Sequence, residues 1–270
     1  MKIIHRIGIN PDDKQRQILE NLGIQIPKSE NPYSGSVTFD LDEDSGEYKK
    51  IEPFITLWRL FDATGTIFTD AEINSADFLI LISPWTNGYP MPDNDGGYKH
   101  TTFNNENYCK KCGGGLTQKD SFRLKKEPNW GNKKIFSLNW VYDEFFARKD
   151  FYEDVLMAYG LEAQPVLLYK KDTVIESTIQ LKIPVTNSPL LLDGLSYITC
   201  EVCNRKRYDL INRGFFPPFL QNVKTLHLFK SKENFGTGGN TRKYVFISQA
   251  LRLEFIRNKI KANYIPCLEP

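Results

Sequence analysis

The stretch YCKKCGGG (residues 108–115) sets two thiols two residues apart ahead of three glycines, and TCEVCNRKR (199–207) supplies a second pair. Structural Zn2+ takes four soft ligands in a tetrahedron, and each C-x-x-C delivers two of them from one tight turn. Backbone N–H groups of such a turn point at the sulfurs, and a glycine after the second cysteine lets the turn close. Gly113 and Gly114 are expected to do this for the first pair. Asn204, which tolerates a left-handed backbone, is expected to do it for the second. Cys109, Cys112, Cys200 and Cys203 are therefore the candidate metal ligands, with structural Zn2+ as the cofactor. A thioredoxin-like redox pair would sit at a helix N-terminus after a strand, where this chain has three consecutive glycines. Redox or disulfide pairing and unliganded thiols are the alternatives.

The spacing shapes the fold. Eighty-seven residues separate Cys112 from Cys200, whereas simple ribbons place their pairs roughly 15–20 residues apart. The intervening residues are not linker: they hold IFSLNWVYDEFF, a helical stretch, and strand patterns near PVLLY and TIQLKIPV. The expected fold class is α+β. It has mixed sheets, a few short helices and a four-cysteine zinc-ribbon-like element whose two knuckles are separated by an inserted α/β segment.

Working outward, KIIHRIGI reads as a strand, and NPDDKQRQILENLGI as a helix with Asn10 as N-cap, Pro11 at its first position and Gly23 at its end. VTFDLD alternates like a strand with one wet face. IEPFITLWRLF spaces Phe54, Leu57, Trp58 and Phe61 as a helical apolar face, and TIFT and ADFLILIS supply further strands. From Pro84 to Asn107 the composition turns to Gly, Pro, Asn and Asp, the mark of a long loop or a set of turns. This gives two expected domains: an acidic α+β region over 1–104 and a basic zinc-knuckle α+β domain over 105–270. EFFARKDFYEDVL (144–156) and YVFISQALRLEFI (244–256) align at an offset of 100 residues, matching Phe151, Val155 and Leu156 to Leu251, Phe255 and Ile256. Strand–helix–strand units are common enough for this echo to be read as coincidence.

Composition excludes several classes. Of the 270 residues, 40% are hydrophobic and 25% charged, as in a folded globular protein. Apolar runs such as FLILIS are far too short to cross a bilayer, and MKIIHRIGINPDD lacks a secretory h-region. No membrane association and a cytoplasmic location are expected. In that compartment thiols stay reduced unless a metal takes them. The fifth, Cys267, reads as a spare, partly buried thiol. The net charge of +2 hides an asymmetry: residues 1–104 carry 9 Lys+Arg against 16 Asp+Glu, and residues 105–270 carry 26 against 17.

No catalytic motif is found. Of the three histidines none lies in H-E-x-x-H, and no Walker A, nucleophile elbow or dinucleotide fingerprint is present. An all-cysteine zinc set is closed and structural, so the protein is expected not to be an enzyme. DLDED (40–44) could hold a divalent cation but reads better as a solvated turn. ENFGTGGNTRK (233–243) could cradle a phosphate, a weak signal beside the reading of a flexible turn. Lys110, Lys111, Arg123, Lys125, Lys126 and Trp130 around the first knuckle, and Arg205, Lys206 and Arg207 after the second, form a basic and aromatic flank. Such a flank suits a protein partner or a single-stranded nucleic acid.

The CKKCG and CEVC pairs, the FGTGG turn and VFISQALRLEFI resemble those of bacterial double-CxxCG-motif proteins, related in style to immunity proteins of polymorphic toxin systems. The resemblance covers about the last 165 residues. The second pair departs from it in lacking the following glycine, and it does not explain the first hundred residues. It implies a zinc-stabilised α+β binder that occludes a partner, such as a toxin, and supplies no catalytic residues. The functional expectation is non-enzymatic, zinc-stabilised protein binding of the immunity type. The alternative is a zinc-ribbon nucleic-acid binder using the basic flank.

Overall fold

A computed structural model describes residues 1–27, 35–221 and 223–269. The chain is α+β. Its elements run β1 (Lys2–Ile9), α1 (Asp13–Asn21), β2 (Val37–Asp42), α2 (Gly46–Leu57), β3 (Phe61–Ile67), α3 (Asp70–Ser75), β4 (Phe78–Ile82), α4 (Tyr98–Thr102), β5 (Phe103–Asn104), β6 (Thr117–Gln118), β7 (Arg123–Leu124) and β8 (Ile135–Leu138). They continue as β9 (Val141–Arg148), α5 (Lys149–Asp154), β10 (Glu162–Leu168), β11 (Thr173–Lys182), β12 (Tyr197–Thr199), β13 (Lys206–Tyr208), β14 (Leu228–Lys230), β15 (Val245–Ser248), α6 (Gln249–Arg257) and β16 (Asn263–Pro266).

Two compact units result. The first comprises Met1–Glu72 with Ile211–Gly214, and the second Ile73–Leu210 with Phe215–Pro270. The division falls well before the composition shift at 104/105. The reason is that β4 belongs to a sheet of the second unit, paired with both β15 and β16.

In the first unit β1 is flanked by β2 and β3, both antiparallel to it. Its alternation buries His5, Ile7 and Ile9 against Leu19, Val37, Tyr48 and Ile51 of the neighbouring elements. Helix α1 starts later than expected. Its N-cap is Asp12, whose side chain accepts from the Gln15 N–H at 2.8 Å, while Gln15 Oε1 accepts from the Asp12 N–H at 3.1 Å. This reciprocal box satisfies two orphan donors. The buried face of α2 also differs from the expected one. Tyr48 and Ile51 are its buried residues, with Phe54 and Trp58 packed beside them, while Leu57 is exposed and Phe61 opens β3. The acids of residues 40–44 do not gather around a cation. Asp40 pairs with Arg6, Asp42 with Lys2, and Glu43 with His5 and Arg213.

The second unit carries a five-stranded sheet, β7-β10-β11-β9-β8, and a four-stranded one, β14-β15-β4-β16. One core joins them: Phe145, Ala147 and Leu181 of the first meet Leu79, Leu81, Val245 and Ile247 of the second, with Phe151, Leu251 and Phe255 of the helices. The echo at an offset of 100 residues proves to be structural. Helices α5 and α6 begin at Lys149 and Gln249, each directly after its strand. Strand β9 runs parallel to β10 with antiparallel β11 between them; β15 runs parallel to β16 with antiparallel β4 between them. Both are split β-α-β units, so the shared topology extends to a strand that the sequence echo does not cover.

Candidate metal centre

Each cysteine pair sits in a turn carried by a two-stranded antiparallel ribbon. Strands β5 and β6 carry the first, β12 and β13 the second. The turns have the same hydrogen-bond pattern. In one, the Cys109 N–H donates to Gly114 O at 2.9 Å and the Gly113 N–H to Cys109 O at 2.7 Å. In the other, the Cys200 N–H donates to Arg205 O at 3.0 Å and the Asn204 N–H to Cys200 O at 2.8 Å. Gly113 and Asn204 hold the equivalent left-handed position, with φ of 76° and 56°. Gly114 does not share that role; the other left-handed glycine is Gly115, φ 99°. A Cβ on Gly115 would lie 2.0 Å from Asn107 O.

The two turns bring their four sulfurs together. Cys109 Sγ lies 3.8 Å from Cys200 Sγ and Cys112 Sγ lies 3.6 Å from Cys203 Sγ, and all four atoms fall within 4.8 Å of one another. Zn–S bonds of about 2.3 Å put the sulfurs of a tetrahedral site roughly 3.8 Å apart, so the group has the dimensions to hold a metal ion such as zinc. Cys109, Cys112 and Cys200 are buried and Cys203 is half-buried. The backbone is aimed at the thiolates. Amide donation from Arg205 holds the Cys203 thiol down at about 6, and donation from Val202 and Cys203 lowers Cys200. Burial pushes Cys112 up to about 11. Metal binding replaces thiol protons. Cys267 lies apart as a buried free thiol, pushed well up by burial.

The glycine-rich loop after Asn234 is a buttress of this centre. A Cβ on Gly113 would lie 2.1 Å from Gly238 O, and the Thr241 hydroxyl donates to Cys112 O at 2.6 Å. The Gly236, Asn240 and Thr241 N–H groups are bonded to Tyr208 O, Thr237 O and Gly238 O. They are therefore spent on the protein rather than turned towards a phosphate.

The basic flank is divided. Lys110, Lys111, Arg205 and Lys206 surround the knuckles; Lys111 pairs with Glu201 across them at 2.8 Å, and Lys206 Nζ stands 4.4 Å from the Tyr197 ring centroid. Arg207 is buried, close to Gly236 O. Arg123 lies on β7 and is bound by Asp120 and Asp172; Lys125 and Lys126 follow it and are exposed. Trp130 is in the core, its indole N–H donating to Thr178 Oγ1 at 3.3 Å. Its ring is thus not offered to a nucleobase. Sequence reasoning missed a polar cluster, Gln164, Gln180, Glu144 and Lys230. No local signal marks it, because the four residues lie on four different strands, β10, β11, β9 and β14, and only the tertiary fold brings them together. No helix among the described residues is long and apolar enough to cross a membrane. Comparison with protein-family models, curated proteins and solved structures finds no match to this chain.

Proposed function

We propose that the protein is a non-enzymatic binder stapled by one structural Zn2+ on Cys109, Cys112, Cys200 and Cys203. The observation that carries this reading is the convergence of four sulfurs from turns about ninety residues apart to near-tetrahedral separations. A closed four-thiolate set leaves no open position for a substrate, so the metal acts on shape.

The surface it holds is the second knuckle with its ribbon, where Tyr197, Ile198 and Val202 are more than half exposed. Lys110, Lys111, Arg205 and Lys206 neighbour it in the two knuckles. Exposed apolar side chains interspersed with Lys110, Arg205 and Lys206 fit a protein partner that offers both apolar and acidic groups. A toxin occluded by this surface is the partner that the likeness to double-CxxCG-motif proteins implies.

Metal analysis of protein purified without chelator should give one zinc per chain, lost in Cys112→Ser and Cys200→Ser. A partner cross-linked in the native host and then purified should bind wild type, and should bind Val202→Asp at least tenfold more weakly (about 1.4 kcal/mol), with the zinc retained. Folded protein without zinc overturns the metal assignment. Salt-dependent binding of single-stranded DNA that survives Val202→Asp overturns the protein-partner reading in favour of nucleic acid.

A further inference from the structure

A cleft of about 960 Å3 opens within the second unit, with the glycines of the first knuckle on one wall and the five-stranded sheet as its floor. Its size is at the upper end of small-ligand sites. On the floor Gln164 of β10 stands opposite Gln180 of β11. The Gln180 amide is saturated: Nε2 donates to Gln118 Oε1 at 2.7 Å and Glu144 Oε2 at 3.2 Å, and Oε1 accepts from Gln118 at 2.8 Å and Gln164 at 2.7 Å.

The acids that line the cleft are mostly engaged. Glu144 is held by the Lys230 ammonium, Glu162 by Lys182 at 3.3 Å and Asp120 by Arg123 at 3.1 Å. Asp143 accepts from the Lys243 backbone N–H at 3.2 Å and is the one lining acid without an ion pair among the described residues. Three lining cations have none either: Lys119, Arg242 and Lys243. Three positive charges against one negative leave the cleft two charges in excess.

Two of those cations are adjacent and half-buried. The Arg242 guanidinium lies 5.0 Å from the Tyr142 ring centroid, a contact that orients it without using an N–H. The Lys243 ammonium donates to Lys232 O, which leaves two of its three protons open. Burial pulls its pKa down against the nearby Asp143 and Glu233, so this charge is desolvated more than it is compensated. The third cation, Lys119, is exposed towards the rim. The glycine-rich loop explains the placement. It is pinned to the knuckle where Gly238 O meets Gly113 and where the Thr241 hydroxyl bonds Cys112 O, and the next two residues are Arg242 and Lys243. The loop thus serves the cleft by carrying two side chains to it, not by its own amides.

The excess of two charges sets the ligand class. A carboxylate carries one negative charge, whereas a phosphate monoester carries about −1.5 to −2 near pH 7 on three acceptor oxygens. Arginine presents a fork of donors matched to such oxygens, and lysine adds a point charge. The cleft is also far larger than a phosphate group, and its polar floor suits an organic body that forms hydrogen bonds of its own.

We propose that this cleft binds a small phosphate monoester, its phosphate held by Arg242 and Lys243 with Lys119 at the rim. The site goes beyond the partner surface proposed above and does not depend on it.

Isothermal titration of the full chain with glucose 6-phosphate, ribose 5-phosphate, glycerol 3-phosphate and AMP, beside glucose and succinate, tests it. At least one monoester should bind saturably, at least tenfold tighter than glucose or succinate. Arg242→Gln and Lys243→Gln should each weaken that binding by at least tenfold, the loss expected for one charge-assisted hydrogen bond. Lys171→Gln and Lys261→Gln, at exposed lysines outside the cleft, should leave it unchanged. Melting temperatures report that the variants are folded. No saturable binding by any monoester overturns the proposal. So does binding that survives Arg242→Gln and Lys243→Gln, that falls equally in the Lys171 and Lys261 variants, or that succinate matches.

Discussion

The Asp143 carboxylate accepts a hydrogen bond from the Lys243 backbone N–H at 3.2 Å, and the two residues hold the same position in the two split β-α-β units. The units thus meet through their equivalent parts. The helices meet out of step with this: Phe151 of α5 packs not on its counterpart Leu251 but on Phe255, one turn further along α6, edge to face with centroids 6.0 Å apart, in the core shared by both sheets.

That pairing predicts coupling. Phe151→Ala and Phe255→Ala should each cost about 3–5 kcal/mol by the burial they remove. The double variant should cost less than the sum of the two, by about 0.5–1.5 kcal/mol for the lost aromatic pair. Urea unfolding of the four proteins in the cycle checks it; strict additivity would mean that the helices stabilise their sheets separately.

The glycines of the first knuckle separate by mechanism. Gly113→Ala and Gly115→Ala each put a Cβ about 2 Å from a carbonyl oxygen at a left-handed backbone. Both should lower stability by about 1–3 kcal/mol or more and weaken zinc retention against a chelator. Gly114→Ala meets only ordinary contact, 3.6 Å from Cys112 Sγ, and should keep its zinc. Asn204→Gly should be tolerated within about 1 kcal/mol, since glycine adopts the same backbone.

These local features were the legible ones. A C-x-x-C turn dictates its own closing residue, so Gly113 and Asn204 could be placed from neighbours alone, as could the strands at 2–9, 37–42 and 78–82. What the sequence withheld depends on partners distant along the chain. In TIQLKIPV the alternation is plain, yet Gln180 reads as a solvent-facing residue until the register sets it between Gln164 and Phe146. Trp130 reads as a stacking surface until Thr178, on β11, claims its indole N–H. The glycines of residues 235–241 look like a phosphate cradle because close backbone approach has the same signature whether the neighbour is an anion or, as here, the knuckle at Gly113.

The Glu144–Lys230 pair offers a test of the cleft floor that needs no ligand. Burial pushes the Glu144 carboxyl up, against the pull of Lys230, and each side chain is nearly enclosed. Removing one partner strands a buried charge, so Lys230→Met should cost about 3–5 kcal/mol. Adding Glu144→Gln should recover much of that loss, because a neutral amide can still bond Gln180. Thermal and urea melts of the single and double variants decide; equal losses in both would show that Lys230 matters only by packing.

The first unit should respond to pH through His5. Its ring is buried against Tyr48, with centroids 4.1 Å apart, Nδ1 2.9 Å from Asp62 and Nε2 3.0 Å from Glu43. Burial pulls the imidazole pKa down, but the hydrogen bonds and charges of Glu43 and Asp62 outweigh it, and the result lies above the ordinary 6.5. A raised native pKa stabilises the fold fully below pH 6.5, and that stabilisation is lost as pH rises through the native value. Glu43 works the other way. Hydrogen bonds from Arg213 and then from His5 hold it down to about 2, so its contribution is present above about 4.5 and is lost as pH falls towards 2. Melting of the first unit should therefore peak between about pH 4.5 and 6.5. His5→Gln should lower the melting temperature within that window and flatten the alkaline limb, leaving the acid limb in place. An alkaline limb unchanged in that variant would assign the pH response to another group.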